Sequence, residues 1–434
     1  MFFALLVCIG AVIGAVDPNV RSADPTVIDG LTITPASFPS TTAEPSGFVD
    51  EGAVSQPAEP APKEEAPVPA PNQRVSERPW YQQLGVSGFL DAGFGVMWPE
   101  EQNTFFVGEV ELDVKKTLLD VAALRIDLNL LNRLPWQPLG VTTFPTFNTV
   151  GVVFDNLVEQ AYGEWFPLGD AGPRLRLGKY NAAVAHERQD ATDRFMISQS
   201  LVFLHGSPQN FTGLMLHVPL AIGFSVTLHA AVNGWDRGLA VSRNKTLGAQ
   251  LQFDHSMKNG VRFLAAVTGI FGTDRFANER DWRVTLFGHA MIDLPKRFLF
   301  AAEFTWGMEP NVVPGTIGDT VFGGGADPVT SRWFGVSTWL RLVVPRVEWL
   351  SFTARYDFFS DPQRTRGLVQ TLQDAQEGGL TQRQQISANV AATIVDGALV
   401  RLEYNADFIQ GREPDRIRAL AVAHRLILQA VYAF

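Results

Sequence analysis

The sequence predicts an all-β fold: a transmembrane, antiparallel, up-and-down β-barrel of about sixteen strands behind a disordered N-terminal extension. Three observations predict it. From Gly85 onward, apolar and polar residues alternate in segments of about ten residues, the length a tilted membrane strand needs. The connections between these segments alternate short and long. The chain closes on an alternating segment that stops at an aromatic, Phe434.

The chain has 434 residues and opens on an apolar run, Phe2 to Val16. Its Phe2–Ala15 stretch reads as the hydrophobic region of a signal peptide spanning residues 1–15, cleaved after Ala15. An N-terminal membrane anchor is the other reading of that run. Cys8 is the only cysteine. The mature chain is therefore expected to have no disulfide, no cysteine metal site and no thiol nucleophile. Residues 16–79 change character. Pro57, Pro60, Pro62, Pro67, Pro69 and Pro71 stand beside Glu59, Glu64 and Glu65. Such a Pro/Ala/Glu-rich stretch cannot bury a core and favours extended polyproline II or disorder. It is expected to be a periplasmic spacer reaching toward the cell wall or a periplasmic partner; an unselected tail is the plainer alternative. The barrel is assigned to residues 80–434.

Within it the period-2 pattern is direct. Phe224, Val226, Leu228, Ala230 and Val232 alternate with Ser225, Thr227, His229, Ala231 and Asn233. Leu247, Ala249, Leu251 and Phe253 alternate with Gly248, Gln250, Gln252 and Asp254, and Val400, Leu402, Tyr404 and Ala406 with Arg401, Glu403, Asn405 and Asp407. The polar faces carry full charges, which suits a wet lumen rather than a soluble core. Short links are expected near 116–120, 168–173, 219–222, 255–259, 294–297, 344–349 and 396–397. Long ones are expected near 132–156, 181–210, 234–245, 273–281, 309–332, 359–382 and 409–419. The link near 99–103 is short where a long one is expected. An even strand number puts both ends on the periplasmic side. Trp98, Trp165, Phe166, Trp235, Trp282, Trp306, Trp333 and Trp349 fall near strand ends and are read as aromatic girdles at the lipid–water boundary. In the last segment Leu426, Leu428, Ala430, Tyr432 and Phe434 share one face, and the free carboxylate needs water. Tyr432 and Phe434 are read as the signal recognised by the barrel-assembly machinery.

Composition removes other classes. No stretch after the first offers about 18 consecutive apolar residues, which excludes a helical membrane protein. The net charge of −10 argues against a nucleic-acid partner.

With strands placed, Ser87-Gly88-Phe89-Leu90-Asp91, Leu177-Gly178-Lys179-Tyr180, Ser198-Gln199-Ser200-Leu201, Val232-Asn233-Gly234-Trp235-Asp236 and Lys245-Thr246-Leu247 stand out. So do Arg355-Tyr356-Asp357-Phe358 with Asp361, Arg401-Leu402-Glu403-Tyr404 and the terminal Phe434. On these residues the chain, over about 85–434, resembles the OmpL-like β-barrel porin family of Gram-negative envelopes. Asn233-Gly234-Trp235-Asp236 at a strand tip is the sharpest piece. The resemblance implies a pore in the bacterial outer membrane and says little about its solute.

Alternation assigns the lumenal charges. The acids are Asp91, Glu109, Glu111, Asp113, Asp127, Glu164, Asp254, Asp293, Glu303, Asp357, Glu403 and Asp407. The bases are Arg125, Arg174, Arg176, Arg262, Arg283, Arg341, Arg355, Arg401 and Arg425. Opposed rows of the two signs would orient polar solutes, pairs along the wall would stiffen it, and the acidic excess predicts a weak cation preference. The 181–210 loop is the expected constriction. It carries His186, Glu187, Arg188, Asp190, Asp193 and Arg194, followed by an apolar stretch from Phe195 to Leu204 able to fold inward. His186, Glu187, Asp190 and Asp193 are also a conceivable set of ligands for a hard cation, though no metal, cofactor or catalytic site is assigned. A rim enzyme would draw on His205, Ser198 and Asp193, which form no recognisable triad motif. The expected function is passive diffusion of small hydrophilic solutes or ions through a water-filled barrel. The alternative is an outer-membrane anchor or partner-binding barrel with a plugged lumen. Expected partners are outer-membrane lipid, the assembly machinery, small polar solutes or ions, and a homotrimer.

Overall fold

In the computed structural model, sixteen antiparallel strands form one closed barrel. They are β1 (Gly85–Trp98), β2 (Gln102–Leu118), β3 (Ala122–Asn132), β4 (Val158–Trp165), β5 (Arg174–Asn181), β6 (Asn210–Pro219), β7 (Phe224–Asn233) and β8 (Thr246–Ser256). The ring continues with β9 (Arg262–Gly272), β10 (Arg283–Leu294), β11 (Phe298–Val312), β12 (Val329–Val343), β13 (Leu350–Ser360), β14 (Leu380–Val395), β15 (Ala398–Glu413) and β16 (Ala421–Ala433). The structure describes residues 84–98, 102–118, 121–132, 157–169, 171–182, 184–233, 245–272, 281–294, 297–312, 316–317, 320–321, 327–363, 365–366, 380–413, 416–417 and 421–434. The expected signal peptide, the spacer and the Gly234-Trp235-Asp236 part of the motif lie outside them.

Each strand pairs with its sequence neighbours, and the ring closes where β1 meets β16, from Phe89 opposite Ala433 to Trp98 opposite His424. Phe434 completes the seam: Gly88 donates its N–H to the Phe434 carbonyl at 3.1 Å, and Phe434 donates back at 3.0 Å. Closure leaves no unpaired edge, the condition for a sheet to cross lipid. No helix among the described residues is long and apolar enough to cross a membrane. The links run in the expected order, short at one rim and long at the other, with the link between Trp98 and Gln102 the short exception at the long rim.

Alternation now becomes two surfaces. Leu124, Ile126, Leu228, Leu247, Leu251, Leu402, Leu428 and Tyr432 are exposed on the outside. Their strand neighbours Asp127, Thr227, His229, Gln250, Arg401, Glu403 and Gln429 are buried inside. A soluble protein would not leave so wide an apolar band in water; a lipid-facing barrel must.

Two of the proposed girdle residues turn out to be interior. Trp333 is 1% exposed and Phe166 8%. Trp333 shares parity on β12 with Ser331, Ser337 and Trp339, all buried. Its register partner is Gly307, and a side chain there would begin 2.0 Å from the indole, so the glycine is what lets the ring lie flat against the wall. Phe166 tucks under the Arg174 guanidinium, 6.0 Å from its ring. Trp98, Trp165, Trp282 and Trp349 are exposed at strand ends, Trp306 is exposed in the middle of β11, and Trp235 is outside the described residues.

Candidate functional site

The link from β5 to β6, residues 182–209, runs inside the barrel. Its neck is closed where Ala182 donates to the Gln209 carbonyl at 2.8 Å. Its apolar side chains account for the entry. Met196 packs with Leu264, Met291, Leu299, Ala301 and Trp339, and Leu201 with Trp333, Phe359 and Ala423. Val184 joins Tyr180, Phe211, Ile270 and Phe287. At the far end Gly206 comes so close to β11 that a side chain would begin 2.4 Å from the Thr305 methyl, and the Thr305 hydroxyl donates to the Gly206 carbonyl at 3.1 Å.

An irregular segment inside a barrel must find partners for its own N–H and C=O groups. Here charged side chains on the wall supply them. Glu109 on β2 accepts the Ala191 N–H at 3.1 Å. Glu303 on β11, nearly opposite in the ring, accepts the His186 N–H and the Ser200 hydroxyl, both at 2.9 Å. Glu403 on β15 accepts the Ile197 and Ser198 N–H groups, the latter at 3.1 Å, and the Ser198 hydroxyl. Arg401 donates to the Ala191 carbonyl at 2.9 Å. Arg355 donates to the Ser198 and Gln199 carbonyls at 2.5 and 3.2 Å. The loop thus crosses the interior and is tied to both sides.

The remaining lumenal charges mostly pair along the wall. Arg125 meets Asp127 at 2.8 Å and Asp113 at 3.7 Å. Arg176 meets Glu164 at 2.8 Å, Arg174 the same carboxylate at 3.8 Å, and Arg262 meets Asp254 at 2.5 Å. Arg355 meets Asp357 at 2.7 Å, and Arg425 and Arg383 share Asp407 at 2.5 and 2.9 Å. Asp91 accepts the Glu109 N–H at 2.6 Å and is fully buried. Arg283 is buried; Arg341 and Asp293 are half-buried on the same face, with Arg341 4.9 Å over the Phe195 ring. Two opposed rows of charge are therefore not what is built. Most arginines sit beside their own carboxylates, and one cluster of three acids, Glu109, Glu111 and Glu159 on β2 and β4, meets a single guanidinium, Arg194, at 3.9 Å from Glu109.

Within the loop the four residues read as a cation set separate. The His186 ring is 5.3 Å from Trp339, and burial pushes its pKa down to about 3, so it is a neutral packing group. Glu187 turns to the Ser200 N–H at 2.6 Å and to Arg355 at 3.6 Å. Burial raises its pKa and Arg355 pulls it back. Arg188 loses basicity by burial, opposed by Asp193 and Asp190. Arg194 reaches Glu109 at 3.9 Å. Ser198, His205 and Asp193 do not assemble either, since the Ser198 hydroxyl is held by Glu403 and His205 lies against the Arg366 carbonyl at 3.1 Å. Sequence reasoning missed Glu159, Asn129, Arg383 and the inward apolar residues Phe287, Met291, Trp333 and Trp339.

Asp193 gives this loop a pH dependence. Its carboxyl rises from 3.8 to about 7, by burial first and then by Asp190, against Arg188 and Arg125, with Asp113 adding to the rise. The docked loop therefore binds more protons than a released one, so docking is strongest in acid and weakens as pH rises through about 7. Protease cleavage in the loop, measured in EDTA between pH 5 and 8.5, should accelerate with pH, and Asp193→Asn should flatten the profile. A flat wild-type profile would refute this.

Comparison with known proteins follows the same line. A family model described as "Putative beta-barrel porin-2, OmpL-like" matches residues 137–434. The chain belongs to this porin family. The matched span begins after β3, so Ser87–Asp91 lies ahead of it. No curated protein matches the chain by sequence. Among solved structures, OprB of Pseudomonas putida is similar at TM-score 0.53 and 9% identity, covering 82% of this chain and 95% of that one. OmpF of Salmonella typhi in complex with daunomycin is similar at 0.51 and 11%, covering 81% and 97%. An anion-selective porin from Comamonas acidovorans is similar at 0.50 and 8%, covering 81% and 99%. At such identities these likenesses speak for the porin fold alone. Family and fold together point to the bacterial outer membrane and to a channel rather than an enzyme.

Proposed function

We propose that the protein is a diffusion porin for small hydrophilic solutes or ions, with the 182–209 loop as its constriction and the short-turn rim facing the periplasm. The observation that carries this reading is the contrast between the two faces. The outside is apolar, while the inside is lined with charged and hydroxylic groups, some of them wetted: Asp254 and Arg262 are 24% and 21% exposed, Asp113 and Arg125 22% and 21%. The surplus of acids on β2 and β4 supports a cation preference. The spacer of residues 16–79 and a homotrimer remain part of the proposal on sequence grounds.

A second reading is a barrel whose lumen the loop plugs, serving as an anchor. The specific support is that Asp91, Asp357, Glu403 and Asp407 are 0% exposed. Single-channel recording of the refolded chain in a planar bilayer under a salt gradient decides between them. Stable open steps with a cation-selective reversal potential are expected for the porin. A folded barrel that stays silent would reject it in favour of the plugged anchor.

A further inference from the structure

Glu109 and Glu111 on β2 and Glu159 on β4 offer one carboxylate oxygen each, all within 4.8 Å of one another, and their side chains are 1%, 2% and 3% exposed. Three carboxylates at that spacing, out of water, cannot all be ionised without a counter-charge. Two of them have partners. Glu109 takes the Ala191 N–H and an Asn129 amide at 3.1 Å and has Arg194 at 3.9 Å, one positive charge for three carboxylates, and Glu159 takes the Asn181 and Asn129 amides at 3.0 and 3.3 Å. Glu111 has none among the described residues: both its oxygens are buried and without any hydrogen-bond partner there. A proton shared between carboxyls would leave an oxygen–oxygen hydrogen bond, and Glu111 makes no such contact. The Asn129 carbonyl oxygen beside them is likewise buried and unpartnered.

We propose that these residues form a buried Ca²⁺ site, with Glu109, Glu111 and Glu159 as ligands; Asn129, whose amide nitrogen faces Glu109 and Glu159, supplies its neutral oxygen when the amide turns over. The donors are all oxygens, the choice of a hard cation. Among hard cations Ca²⁺ fits better than Mg²⁺, because Ca²⁺ takes about six to eight oxygen ligands in flexible geometry, whereas Mg²⁺ sheds its water reluctantly. A neighbouring acidic group, Glu111 with Asp113 and Asp127, is a poorer candidate because Arg125 meets two of its three members, at 3.7 and 2.8 Å, whereas Arg194 reaches Glu109 at 3.9 Å.

The site also touches the loop. Glu109 holds the Ala191 N–H, and the preceding loop residue, Asp190, sets its carboxyl close enough to Glu159 and Glu111 to act on both. Docking the loop brings a fourth carboxylate against three on the wall. A divalent cation turns that repulsion into attraction and clamps the loop to β2 and β4. Ion binding and clamping do not depend on the barrel conducting; only an effect on flux rests on the porin reading.

The test uses the full chain, refolded, stripped with EGTA and titrated with CaCl₂ by calorimetry at pH 7.5. Wild type should bind about one Ca²⁺ per chain, with Glu111→Gln and Glu159→Gln each weakening it at least about tenfold. Folding of each variant is checked by heat-modifiable gel mobility. In parallel, trypsin cleavage after Arg188 and Arg194 should slow about tenfold with Ca²⁺ in wild type and not in Glu111→Gln. No binding, or binding that both glutamine variants retain, would overturn the site. Binding without protection of the loop would overturn the clamp. Because neither readout is conductance, a silent barrel could pass this test and an open one could fail it.

Discussion

Replacing Arg355 by alanine is expected to destabilise the barrel by about 3–5 kcal/mol, the usual cost of removing one partner from a buried ion pair. Arg355 is 2% exposed and its guanidinium spends every nitrogen. Nε donates to Asp357 at 2.7 Å, one terminal nitrogen to the Ser198 carbonyl, and the other to Gln385 at 2.7 Å and to the Ser198 hydroxyl at 2.8 Å. Glu187 stands 3.6 Å away. Alanine would leave Asp357 and Glu187 in a dry site without their counter-charge, and two loop carbonyls without the donor they share. Lysine would keep the charge but not the planar fork, so Arg355→Lys should recover only part of the loss. Arg262→Ala is the internal contrast: its pair with Asp254 is about a fifth exposed, and solvent screening holds its loss below about 1 kcal/mol. Equilibrium urea unfolding in detergent or lipid vesicles, followed by tryptophan fluorescence, measures all three. Equal midpoints for Arg355→Ala and Arg262→Ala would refute the hub.

This contrast marks what a period-2 pattern can and cannot reveal. Strand existence, the order of short and long links, and the facing of each charge follow from alternation, because one residue in two must meet lipid and the other the interior. The same parity contained more than was drawn from it. On β10, Arg283 and Asp293 were placed inside, and Phe287 and Met291 fall at the same parity. On β12, Arg341 was placed inside, and Trp333 and Trp339 share its face. A tryptophan near a strand end suggested a girdle, yet parity and the glycine opposite decide which way it points. The loop's entry was foreshadowed by its apolar stretch, since Phe195 to Leu204 has no reason to sit in water. Its docking partners were not. Which carboxylate accepts the Ala191 or Ile197 N–H depends on the shear and radius of the closed ring, which bring β2, β11 and β15 to one level. Glu159 was missed for a related reason. It lies at the very start of β4, after a long link, where the alternating signal is only beginning.

Glu403 is where the loop can be released at the cost of one contact within the wall, the Asn405 amide at 2.9 Å. Its carboxylate accepts two successive loop N–H groups, Ile197 and Ser198, and the Ser198 hydroxyl. In Glu403→Ala those two backbone donors lose their acceptor in a site from which water is excluded, at about 1–3 kcal/mol each. A total of about 2–6 kcal/mol shifts the docked-to-released ratio by a factor of about 30 or more. The strand itself stays intact, because β15 keeps its backbone ladder to β14 and β16. Carboxylate tethers remain at Glu303 and Glu109, beside the Arg355 and Arg401 bonds to loop carbonyls, so Glu303→Ala added to Glu403→Ala should act more than additively, both residues holding one segment. The expected readouts are larger single-channel conductance and faster proteolysis between Val184 and Gly206, with heat-modifiable mobility unchanged. If the double variant conducts as wild type does while its loop is cleaved freely, the loop does not set the size limit. If neither changes, the carboxylates do not hold it. Either result would return the interior charges to the role of stiffening the wall.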